Sequence, residues 1–137
     1  MALDRDRAFI ENILSAAKRA SGHLRGMTRE EFDLNPTVQD AIVWVLATVG
    51  EAAKKLSPAF QAAHSAINWA AISRLRNELI HRYWNINLNV VWNAATELLP
   101  ALATKLRQIR WPKRSSAKIG REVAGILKGQ PSKQKRR

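Results

Sequence analysis

The stretch RLRNELIHRYW, Arg74 to Trp84, sets arginines, an asparagine, a glutamate, a histidine and a tyrosine among leucines and an isoleucine at helical spacing. On a helix Asn77 and His81, four apart, share one face, and Arg76 and Tyr83, seven apart, share a neighbouring one. Arg76 and His81 are five apart, so the arginine's long stem has to wrap back for its guanidinium to approach the imidazole. Histidine and arginine suit phosphodiester cleavage without a metal. RNA carries its own nucleophile in the 2′-hydroxyl, so a protein need only move protons and stabilise the charge on the phosphorane.

Other chemistries have less support. There is no His-x-x-x-His pair, and the acidic residues are scattered, with Glu51 isolated on its helix. No serine-nucleophile signature surrounds Ser15, Ser57, Ser65 or Ser73, and the chain contains no cysteine. Neither a metal nor a cofactor is therefore expected. The competing account of the polar cluster is a seam without chemistry, in which Arg76 pairs with Glu51 or Glu78 and His81 bonds a backbone carbonyl.

Cleavage benefits from both a base and an acid, yet one histidine stands in such a constellation; His23 and His64 have Lys18 and Ala59 where His81 has Arg76. Two copies of the helix meeting about a twofold axis would supply both groups. A homodimer is the expectation that follows.

The elements that must hold this cluster read as helices throughout. Phe9, Ile10, Ile13, Leu14 and Ala17 give a first helix over roughly residues 4–20, with a stop at Ser21 and Gly22. Thr28 and Glu31 have capping-box spacing for a short helical turn. Asn35 and Pro36 open a second long helix, whose stripe of Val38, Ala41, Ile42, Val45, Leu46, Val49 and Leu56 marks it as central. Ser57 and Pro58 break it, and Asn68 caps a third, residues 69–84, with Trp69, Ile72, Leu75, Leu79 and Ile80 turned inward. Asn85 and Asn87 close that helix and open a fourth, carrying Leu88, Val91, Trp92, Ala95, Leu98, Leu99 and Leu102. Pro100 should kink or restart it. With no strand-like alternation and no internal repeat, the fold class is all-α, an up-and-down bundle of four or five helices.

At 137 residues and 46% hydrophobic, the chain suits one domain. The formal charge of +12 is uneven: 14 Lys and Arg against 10 Asp and Glu over residues 1–110, but 9 against 1 over residues 111–137. The expected division is a helical bundle over 1–110 and a basic tail over 111–137, which is either a solvated end or a contact for a polyanion. The N-terminus lacks a secretory pattern, and the longest apolar run, Ala41 to Gly50, falls far short of the roughly 20 residues needed to span a bilayer. No membrane contact is expected, and the cytoplasm is the expected location.

The segment Arg76 to Tyr83, RNELIHRY, resembles the R-x4-H-x-Y motif of HEPN-domain proteins of the HepT-like (DUF86) family, ribonuclease toxins encoded beside a nucleotidyltransferase antitoxin. QDAIVWVLATVGEAAKKLS, NWAAISRLRN and NLNVVWNAATELLPALATKL resemble further stretches of that family, so the likeness runs over roughly residues 4–110. The resemblance implies a helical bundle that dimerises with its motifs facing each other and cuts RNA without a metal. It also implies that Arg76 stabilises the phosphorane, His81 transfers protons and Asn77 orients histidine or phosphate. Tyr83 matches the tyrosine that the nucleotidyltransferase modifies with AMP. Two positions depart from the pattern: Arg82 stands where a small residue is common, and Asn87 where an aspartate is. Arg82 and Arg74 are candidate RNA contacts. The alternatives are a non-catalytic HEPN module that binds a nucleotidyltransferase or nucleic acid, and an RNA-binding protein dominated by its tail.

Overall fold

Local capping residues divide the chain into its helices. In the computed structural model, which describes residues 2–112, Thr28, Asn35, Ser57, Asn68 and Asn87 each accept a hydrogen bond from a backbone N–H of the helix they precede. Pro36 and Pro58 follow two of these caps, where a proline's missing N–H costs nothing. The elements are α1 (Ala2–His23), α2 (Arg29–Asp33), α3 (Pro36–Lys54), α4 (Pro58–Ala63), α5 (Trp69–His81), a 3₁₀ turn (Tyr83–Asn85), α6 (Leu88–Asn93), a π-helical turn (Ala94–Leu98) and α7 (Leu99–Arg107). No strand occurs among the described residues, and the all-α expectation holds.

The capping box is complete. Thr28 N–H donates to Glu31 Oε1 at 2.8 Å and Glu31 N–H donates to Thr28 Oγ1 at 3.1 Å. Thr28's backbone N–H first, and its side chain second, hold the Glu31 carboxyl below the usual carboxylate range, while slight desolvation opposes them.

α3 is the central helix. It packs against both α1 and α5, α7 and the π turn close on α1, and α6 rests on α3. Ile10 and Ile13 of α1, Ile42, Val45, Leu46 and Val49 of α3, Ile72 and Leu79 of α5, Val91 of α6 and Leu99, Leu102 and Leu106 of α7 fill the core. Each such side chain contributes about 1.5–3 kcal/mol by leaving water. Phe32 of α2 is fully buried and meets Trp92, with ring centroids 5.2 Å apart. Asp6, buried in α1, accepts hydrogen bonds from the Ser57 N–H at 2.7 Å and the Ser57 hydroxyl at 2.6 Å, tying α1 to the start of α4. Beyond α7, Trp111 stacks on Phe60 at 5.5 Å. The tail beyond Pro112, with its weak amphipathic run, lies outside the described residues.

Several boundaries differ from the sequence expectation. α1 continues through Gly22 to His23, and the chain reverses at Gly26, whose φ of +68° is one that favours glycine. A glycine near a helix end costs only about 1 kcal/mol relative to alanine, and the buried faces of Ala16, Ala17 and Ala20 keep that helix docked. α5 stops at His81 instead of reaching Trp84, because Tyr83 and Trp84 find no core to enter and the chain tightens into a 3₁₀ turn closed by Asn85 N–H to Arg82 O at 2.8 Å. Ile80 and Leu98, expected inside, are 48% and 38% exposed. Pro100 begins α7 directly after the π turn, in which Leu99 N–H reaches back to Ala94 O. The wider turn lets the helical path restart around the missing proline donor.

Candidate functional site

The central pair of the site forms where α3 and α5 come closest. Gly50 on α3 lies directly under Arg76 on α5: a Cβ at position 50 would overlap Arg76 Cβ and come within 3.1 Å of Ile72 O. With no side chain at 50, the next residue, Glu51, can face Arg76. Arg76 Nε lies 3.3 Å from Glu51 Oε2, and Arg76 Nη1 donates to Asn77 Oδ1 at 3.1 Å. Glu51 Oε2 is buried without a well-aligned hydrogen bond, so the carboxylate attracts Arg76 mainly through charge. Lys55, one turn along, approaches Glu51 Oε1 at 3.9 Å. A guanidinium has five N–H donors, and these contacts leave Arg76 able to bind a further anion.

Glu78 does not reach Arg76; it pairs with Arg82, whose Nε lies 2.7 Å from Glu78 Oε1. The polar seam weighed above is thus half present, with Glu51 as Arg76's acid. Its other half is absent: the side chain of His81, exposed at the last position of α5, has no hydrogen-bond or charge partner among the described residues.

Tyr83 stands apart from the helical face assigned to it, because the helix has ended. It is 55% exposed, and its ring meets Trp84 edge-on at 5.2 Å. Trp84 is 94% exposed. The structure therefore joins Arg76 to Asn77 and to Glu51 through their side chains, while no side-chain hydrogen bond, ion pair or ring contact joins His81 or Tyr83 to them. Arg74 is exposed on α5. Gly50 carries no local sequence signal of its role, since close approach belongs to two helices at once.

A family model described as Ribonuclease HepT-like matches residues 13–109 of this chain. The chain belongs to the HepT-like ribonuclease family. A protein of Caldanaerobacter subterraneus subsp. tengcongensis, provisionally named an RNase, is 30% identical over 103 residues, covering 75% of this chain and 92% of that protein. A Thermococcus cleftensis protein named a probable ribonuclease HepT is 29% identical over 102 residues, 74% of this chain and 93% of its own. A third, from Methanocaldococcus jannaschii and provisionally named an RNase, is 31% identical over 103 residues, 75% and 85% of the two chains. No solved structure matches the chain. The HepT-like match takes in Glu51, Arg76, Asn77, His81 and Tyr83, and it ends before the basic tail.

Proposed function

We infer that this HepT-like chain is a metal-independent endoribonuclease, the toxin of a pair whose antitoxin is a nucleotidyltransferase, with its R-x4-H-x-Y site in the cleft of a homodimer. The observation that carries this reading is the contrast within α5: Arg76 is held by Glu51 and Asn77 but retains donors, whereas His81 is exposed and uncommitted. One group is prepared to bind a phosphate, and the other is available to move a proton.

In the reaction, one His81 takes the proton of the 2′-hydroxyl as its oxygen attacks the adjacent phosphorus. Arg76 stabilises the charge on the phosphorane. The bond to the 5′-oxygen breaks as His81 from the second copy donates a proton to it, leaving a 2′,3′-cyclic phosphate and a 5′-hydroxyl. Asn77, bonded to Arg76, orients the guanidinium. Arg74 adds positive charge along the same helix, and Arg82 at its cap, paired with Glu78, keeps N–H donors for an RNA contact. A donor set of this kind asks for no metal, and no group of three or more His, Asp or Glu side chains converges among the described residues.

Tyr83 supports the antitoxin part of the reading. Its exposure leaves the phenol open to a second enzyme, which would join the phenolic oxygen to the α-phosphorus of ATP and release pyrophosphate. AMP added two residues from His81 brings bulk and negative charge to the mouth of the site. No helix among the described residues is long and apolar enough to cross a membrane.

The second reading, a non-catalytic module, is favoured by the Glu51 pairing, which already offsets the charge of Arg76. Incubating the protein with RNA in EDTA separates the two. Wild type should cleave and leave cyclic-phosphate ends, and His81→Ala should lose at least about 10²-fold in rate, the usual worth of a general acid or base. Equal cleavage by both proteins removes His81 from the mechanism, and intact RNA in both tubes favours the binding module.

A further inference from the structure

Two grooves flank the C-terminal half of α1, and Ser15 lines both. The first, about 420 Å³ between α1 and α3, presents Asn12, Ser15 and Arg19 opposite Thr48, Glu51 and Lys55. The second, about 620 Å³ between α1 and α7, presents Lys18 and Arg25 opposite Thr104 and Arg107. Residues 12, 15 and 19 form one stripe of α1 and 18 and 21 the next, with Arg25 in the turn just beyond its end, so the grooves are adjacent faces of one element.

The charge in these grooves is distinctive. They hold five cations and a single carboxylate, that of Glu51, which already faces Arg76 at 3.3 Å. Elsewhere three arginines are neutralised within their own helices or caps, Arg7 by Glu11, Arg29 by Asp33 and Arg82 by Glu78, and the other arginines without a carboxylate, Arg5, Arg74 and Arg110, are spread singly. Lys18, Arg19, Arg25 and Arg107 have no such carboxylate among the described residues. None of the large exposed apolar side chains lines either groove; Phe9 and Leu14, which do, are part-buried against the core, so the exposed groups there are mostly polar or charged. The Thr48 and Thr104 hydroxyls donate to Val45 O and Pro100 O, and the Ser15 and Ser21 hydroxyls and the Asn12 amide between the cations fit phosphate and ribose oxygens.

We propose that the two grooves form one track for the phosphodiester backbone of single-stranded RNA, running from the Arg76–Glu51 pair over Ser15 to Arg107. The proposal rests on the ribonuclease reading and adds to it a binding surface outside the R-x4-H-x-Y motif. The track ends at Glu51, the carboxylate that holds Arg76, so it runs up to the neighbour of that guanidinium. Readout of the backbone alone gives affinity that depends on salt and little on sequence.

The test uses the full chain with Lys18→Gln, Arg25→Gln and Arg107→Gln combined, and Arg107→Gln alone. Binding of a 2′-O-methyl oligonucleotide, which offers no free 2′-hydroxyl, is measured against salt concentration. Each phosphate contact to a single strand contributes about 0.7 to the log–log slope, so the triple variant should lose about 2 and the single variant about 0.7. Cleavage of long RNA by the triple variant should show a raised KM with kcat retained. Unchanged slopes beside an active wild type overturn the track and leave the ribonuclease reading intact. A wild type that binds with the larger slope but never cleaves keeps the track and removes that reading. If the triple variant instead loses polyglutamate binding while its RNA slope stays the same, the surface belongs to an acidic protein and the proposal fails.

Discussion

Arg76 is neither free nor deeply committed. Its side chain and that of Glu51 remain 31% and 39% exposed, and a pair of that kind contributes on the order of 0–1 kcal/mol to folding. The contact therefore matters more for where the guanidinium points than for whether the chain folds. Glu51→Gln keeps the shape and removes the charge. We expect its urea midpoint to shift by less than about 1 kcal/mol equivalent, while RNA binds tighter in the ground state and kcat falls because Arg76 is no longer held towards the phosphorane. Equal falls in stability and activity would make Glu51 a structural residue only. At this scale the sequence told part of the story. Residue types and spacing singled out Arg76, Asn77, His81 and Tyr83, and Glu51 was one of two acids weighed for Arg76. Choosing between Glu51 and Glu78 needed the packing of α3 on α5, since both are within reach of an arginine on paper.

Helix starts were legible because a cap is local: Thr28, Asn35, Asn68 and Asn87 act within two or three residues of themselves. Helix ends were less so. The apolar period of α5 runs on through Ile80, but the helix ends where burial ends, which placed Tyr83 on a separate turn. The bonds from Ser57 to Asp6, 51 residues away, carry no pattern at all in the sequence. Gly50 is the clearest case of an element-scale constraint. Alanine is the better helix former by about 1 kcal/mol, yet here its Cβ would meet Arg76 Cβ and the Ile72 carbonyl, both anchored to the α5 main chain. Neither neighbour can swing away as a side-chain tip can, so α3 and α5 must separate. Gly50→Ala should lose a net 1–3 kcal/mol or so in chemical denaturation, the usual cost of overpacking, with an unchanged m value. It should also lower cleavage by displacing Arg76 from Glu51. A stability gain would mean that the two helices adjust more freely than their close approach suggests.

On the scale of the whole molecule, the described chain offers one suitably placed histidine, and the proposed cleavage asks for an acid and a base. Beside that histidine the surface is unusually apolar for a polar site: Ile80, Tyr83 and Trp84 are 48%, 55% and 94% exposed. Large side chains grouped in this way mark a surface that a partner covers, and a twofold contact there would set two copies of His81 near one another. Trp84 is the strongest anchor, because tryptophans at the centre of interfaces commonly contribute 2 kcal/mol or more, about 30-fold in dissociation constant. It is also so exposed that replacing it leaves the core untouched. Trp84→Glu should therefore keep the wild-type melting profile at high dilution, where dissociated protomers are compared. Sedimentation should show it shifting from dimer to monomer at concentrations where wild type stays paired. Cleavage per protomer should fall in parallel and recover as the variant is concentrated. Loss of activity without a change in mass would place Trp84 in contact with RNA and leave a single His81 to serve as both base and acid. A wild type that sediments as a monomer while cleaving at full rate would remove the shared cleft from the mechanism.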